Sequence, residues 1–209
     1  MSIEEQNQFS KEFIQQVKES EGTAELQASD NWGNITGQGP SFTEGSFKPY
    51  KDTTGNWTIG YGTKLSSEEL EKYSAGISVE EAEGLLLQRL TEAGEGASRI
   101  VPNFGNLPIG VQEVVTDLVY NMGTTGVSEN FPMFIEAIEN ENYPLAIANL
   151  KYVSPSTLNL SGDQGEFSKY FSEYPSRANE NIGKLEFAFD ESVDTSSDDG
   201  VFNVMKMND

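Results

Sequence analysis

The run Tyr50-Lys51-Asp52-Thr53-Thr54-Gly55-Asn56-Trp57-Thr58-Ile59-Gly60-Tyr61-Gly62 leaves the chain few folds to adopt. It reads as a short strand, a tight turn and a second strand. Thr53-Thr54-Gly55-Asn56 supplies the turn, because Gly and Asn tolerate the positive φ that hairpin turns need. Trp57, Thr58, Ile59 and Tyr61 favour extended backbone, and Gly60 and Gly62 let another backbone or a ligand come close. Asp52 stands just before the turn and Thr58 just after it. Two short polar side chains so placed can face one another across a small gap and hold a water molecule. The plainer reading of Asp52 is a turn cap.

Composition removes most other chemistry. The chain has 209 residues, with no Cys and no His. Disulfides, thiolate metal sites, Ser-His-Asp and Cys-His catalysis and zinc hydrolysis are excluded by inventory. Acid/base work falls to Asp and Glu. A net charge of −21 argues against nucleic-acid binding, which needs a basic face. Thr58-Ile59-Gly60-Tyr61-Gly62 also looks like a potassium-channel filter, but no apolar run of about 18 residues exists to span a membrane. The N-terminus, Met1-Ser2-Ile3-Glu4-Glu5-Gln6, lacks the basic start and apolar core of a signal peptide.

Periodicity organises the rest. Residues 8–20 predict a helix with Phe9, Phe13, Ile14 and Val17 on one face and Gly22 as its stop. Residues 23–46, rich in Gly, Ser, Thr and Asn, predict an inserted loop or irregular hairpin. Ser66-Ser67-Glu68-Glu69 and Ser78-Val79-Glu80-Glu81 are capping boxes for a short and a longer helix. Val111, Val114, Val115, Leu118, Val119 and Met122 form the clearest apolar stripe and mark a central core helix. Two further helices follow, near 131–140 and 144–153. From Asp190 an acidic, Ser-rich tail predicts disorder, with Val201–Met207 apolar enough to dock on a partner.

Lys18-Glu19-Ser20-Glu21-Gly22, then Tyr50-Lys51-Asp52, the Gly55 turn and Thr58-Ile59-Gly60-Tyr61-Gly62 together resemble the phage-type lysozymes, the muramidases of glycoside hydrolase family 24. Tyr120-Asn121-Met122-Gly123 and Pro175-Ser176-Arg177-Ala178 extend the likeness. The resemblance implies an α+β fold, with a small sheet-bearing lobe near residues 45–63, a larger helical lobe that takes in the first helix, and a cleft between them. It implies residues 1–189 as the catalytic domain, interrupted by insertions at 23–46 and 154–167, with 190–209 as the tail. Glu21 becomes the general acid, and Asp52 with Thr58 positions the attacking water. Tyr120, Asn121 and Arg177 become substrate-binding candidates, Arg177 also as a partner for the acid. Peptidoglycan is the implied partner, with no metal or cofactor.

Two choices stay open at this level. Glu21 has the helix and the basic residue three before it; Glu44, in Thr43-Glu44-Gly45, stands closer in sequence to Asp52, as relatives have it. A free endolysin, a monomer held in the host cytoplasm until release, competes with a wall-binding or tail-associated component of a phage particle. Residues 23–46 are expected to cover the sugar groove as a flap, with Trp32 either stacking on a sugar or anchoring its own loop.

Overall fold

The computed structural model describes residues 8–152 and 167–201. They belong to two compact units, one ending at Glu92 and the other beginning at Ala93. The boundary falls inside one long helix, α5 (Val79–Ile100). The architecture is α+β, as expected. No described helix is long and apolar enough to cross a membrane.

The first unit opens with α1 (Lys11–Glu21), which starts where the Ser10 side chain accepts a hydrogen bond from the Phe13 amide. It stops at Gly22, whose φ of 104° no other residue adopts readily. Phe13 and Val17 are fully buried on its inner face. Contrary to the expectation from the resemblance, α1 groups with the sheet-bearing unit. Its C-terminal turn explains why: Lys18 pairs with Glu83 of α5 and lies over the Tyr61 ring.

Residues 23–46 are more ordered than a loop. They form α2 (Ala24–Gln27) and α3 (Asp30–Thr36), followed by a hairpin of β1 (Phe42–Thr43) and β2 (Ser46–Phe47). Thr23 caps α2 by accepting from the Leu26 amide, and Gly37 ends α3 in the left-handed region at φ 70°. β3 (Tyr50–Lys51), β4 (Trp57–Ile59) and β5 (Thr63–Lys64) make an antiparallel sheet in chain order. Tyr50 pairs with Thr58 and Lys51 with Trp57. α4 (Ser67–Lys72) begins at the Ser66/Glu69 capping box, and the Ser78/Glu81 box opens α5.

The second unit is helical. α6 (Ile109–Asn130) carries the apolar stripe, with Val111, Val114, Val115 and Leu118 fully buried. Gly123, at φ 72° and ψ 166°, breaks its helical run. α7 (Pro132–Glu139), α8 (Tyr143–Lys151), α9 (Lys169–Glu173) and α10 (Pro175–Val201) complete the unit. α10 packs on α8 and α6, and α7 packs on α8. α10 continues through the acidic run that starts at Asp190, so no change of backbone marks that point. The insertion expected at 154–167, apart from Phe167, and the docking stretch beyond Val201 lie outside the described residues.

Candidate active site

Glu21 is the last residue of α1, half-buried where the chain leaves the helix. Its carboxyl rests on Gly62: a Cβ built there would meet the carboxyl carbon at 2.9 Å. Gly62 also has φ +77°, so both its backbone conformation and its neighbour demand glycine. The helix end and the Thr-Ile-Gly-Tyr-Gly turn are thereby brought together, although about forty residues separate them in sequence.

Asp52 is held by its own turn. Its Oδ1 accepts from the Thr54 amide at 2.9 Å, the Thr54 hydroxyl at 2.8 Å and the Asn56 amide at 2.8 Å. Its Oδ2 accepts from Asn56 Nδ2 at 3.1 Å. Burial acts to raise the carboxyl pKa, but the combined hydrogen bonds from Thr54 and Asn56 outweigh it and hold the group below its ordinary value. Asp52 is therefore a fixed carboxylate at neutral pH. The contributions of Thr54 and Asn56 are missing from the sequence reading. Their signal is Asp-Thr-Thr-Gly-Asn itself, since an Asp two residues before an available amide closes on it locally.

In the role that the resemblance gives Asp52, the carboxylate acts in its charged form, and activity falls as pH drops through its pKa. Thr54→Val removes a hydrogen bond that favours the charged form. The acid limb of kcat/KM then moves to higher pH while the rate at neutral pH stays close to wild type. A pH–rate profile measures this, and an unmoved limb contradicts it.

Thr58 is 2% exposed, and its hydroxyl donates to the Asn56 carbonyl at 3.3 Å. The register places it opposite Tyr50, so Asp52 and Thr58 are diagonal neighbours on one face and not directly opposed. Tyr50, the partner of Thr58 in the register, is 6% exposed. Its phenol pKa is pushed up, first by burial and then by the charges of Glu21 and of Asp52. A single side chain on β3 thus lies in the field of both acids.

Glu44 sits elsewhere. With φ 52° and Gly45 at 73°, it is the first residue of the two-residue turn joining β1 to β2, and it is exposed. That conformation is the one such hairpins select, which accounts for the Glu-Gly pair without chemistry.

The remaining candidates belong to the second unit. Tyr120 is half-buried against the helical core, 5.8 Å from the Arg177 guanidinium. Asn121 is exposed, donates to the Asp117 carbonyl at 3.0 Å, and lines a cavity of about 650 Å³ with Met122, Phe131, Tyr170 and Tyr174. Arg177 is 5% exposed. Its Nε reaches both oxygens of Asp117 at 3.0 Å, and Nη2 reaches Oδ1 at 2.7 Å. Asn181 and the Tyr170 hydroxyl also donate to Asp117. Arg177, a substrate-binding candidate from the resemblance, is one half of a buried ion pair. The sequence signal for Asp117 is a carboxylate set among the apolar residues of α6, since a charge there needs a partner.

A half-buried carboxyl at a helix end and a second carboxylate kept ionised are the two kinds of group that glycoside hydrolases use for acid/base cleavage. Residues 41–155, more than half of the chain, match the phage lysozyme family, and the chain belongs to that family. No curated protein matches it. The fold is accordingly lysozyme-like, and the protein is a muramidase-type glycoside hydrolase acting on peptidoglycan. The matched region includes Asp52, Thr58, Tyr120 and Asn121; Glu21 and Arg177 lie outside it.

Proposed function

We propose that the protein hydrolyses the β-1,4 bond between N-acetylmuramic acid and N-acetylglucosamine with inversion, as the wall-degrading step of phage-induced lysis. The observation that carries this is the contrast between the two carboxyls. Glu21 rests against Gly62 at the end of a helix, while Asp52 is fixed in its charged form by Thr54 and Asn56. Glu21 protonates the glycosidic oxygen as the bond to the anomeric carbon breaks. Asp52 and Thr58 orient a water on the opposite face and Asp52 takes its proton, so the sugar is attacked as an oxocarbenium-like centre. That geometry needs carboxyls about 6.5–9.5 Å apart, leaving room for the water. The protein acts from the host cytoplasm or from a phage particle, as a monomer or in attached form. Tyr120 and Asn121 contact the glycan.

The bond assignment is tested by borohydride reduction of the soluble digest. N-acetylmuramitol at the new ends is expected. N-acetylglucosaminitol, or new amino termini without new reducing ends, contradicts the proposal.

A further inference from the structure

The segment between α1 and the catalytic hairpin is built inward. Gln27, at the end of α2, has no exposed surface. Its Nε2 donates to the Gly22 carbonyl at 2.8 Å and to the Gly60 carbonyl at 2.9 Å. Its Oε1 accepts from the Ser41 hydroxyl at 2.8 Å, and the Ser41 amide returns a bond to the Gln27 carbonyl at 3.0 Å. Trp32 of α3, 5% exposed, closes the same place from another side. A Cβ at Gly22 would meet its Cζ3 at 2.7 Å, and its ring stands edge-on to Tyr50 with centroids 5.1 Å apart.

The two carbonyls that Gln27 joins are not arbitrary. Gly22 directly follows Glu21. Gly60 is two residues before Gly62, on which the Glu21 carboxyl rests. One buried amide thus spans from the backbone that carries the acid to the backbone that receives its carboxyl. Both donors and the acceptor of that amide are used, and an apolar side chain in its place leaves two buried carbonyls without these bonds.

We infer that residues 23–46 form an internal brace for the general acid, with Gln27 as its positioning residue. This rests on the muramidase reading and replaces the expected flap: a Trp32 buried against Gly22 and Tyr50 does not present its ring to a sugar. The brace acts on the placement of Glu21, so its loss affects the chemical step more than substrate binding.

The test uses the full chain and purified peptidoglycan. Gln27→Met keeps length and volume and removes all three side-chain hydrogen bonds. It is expected to lower kcat about 100-fold with KM unchanged, the scale set by misplacing a catalytic group by about 1 Å. Ser41→Ala, which leaves both carbonyl contacts intact, stays within about threefold of wild type. A Gln27→Met protein with a lower melting temperature but wild-type kcat, assayed well below melting, overturns the inference. A raised KM at unchanged kcat also overturns it and favours the flap. If Gln27→Met does not fold, Trp32→Phe serves in its place: kcat falls at constant KM if the brace holds, and is unchanged if it does not. An inactive wild type defeats the muramidase reading itself, whereas an active wild type with an indifferent Gln27→Met defeats the brace alone.

Discussion

Glu21→Gln abolishes release of reducing sugar from purified peptidoglycan, and Glu44→Gln leaves it at the wild-type rate. A general acid contributes about 10²–10⁴-fold, so the first variant falls to the assay floor while remaining folded. The asymmetry comes from position. Glu21 ends a helix, half-buried, with its carboxyl on Gly62, and it shares the field at Tyr50 with Asp52. Glu44 occupies an exposed hairpin turn with a positive φ. Its neutral amide analogue keeps that turn, because Gln loses no backbone contact that Glu makes there. The reverse pattern, with Glu44→Gln inactive and Glu21→Gln active, places the acid on the β1–β2 turn and overturns the site described above.

The largest effect on stability is expected at Asp117. Asp117→Ala lowers the unfolding free energy by roughly 3–5 kcal/mol, measured by urea denaturation monitored through circular dichroism. Asp117 is completely buried, and it receives Arg177, Asn181 and the Tyr170 hydroxyl. Removing the carboxylate strips a buried guanidinium of its counter-charge, and that desolvation cost is larger than the net worth of the pair. The Tyr170 phenol reports the same charge: its pKa is pushed up first by burial, then by Asp117. Glu113→Ala costs less, because Lys184, its partner at 2.9 Å, is partly exposed and can turn to water. A loss below about 1 kcal/mol for Asp117→Ala places the pair among surface-like ion pairs and contradicts the burial argument.

Much of the active hairpin was legible because its signals are local. A Gly-Asn turn between β-formers dictates strand, turn and strand. Capping boxes at Ser66 and Ser78 fixed helix starts for the same reason, and the stripe on α6 fixed its buried face. What escaped depends on distant partners. α2 and α3 are short helices in a composition typical of loops, and they form because Gln27 and Trp32 find buried partners on Gly22, Gly60 and Tyr50. The grouping of α1 with the first unit arises from Lys18–Glu83 and Glu21–Gly62, contacts no periodicity encodes. Arg177 looked like a helix-start residue of the active site, and only its meeting with Asp117, sixty residues away, shows its structural part. The diagonal placement of Asp52 and Thr58 needed the strand register itself.

The assignment of Glu21 as acid and of Asp52 with Thr58 as holders of the nucleophilic water is tested most directly by the anomeric configuration of the first product. Proton NMR of an early digest of a soluble glycan substrate resolves the anomeric proton before mutarotation. The account predicts the α-anomer at the newly formed reducing end, because water attacks the face opposite the departing β-linked sugar. An initial β-anomer means retention through a covalent intermediate, and it contradicts the roles given to Asp52 and Thr58.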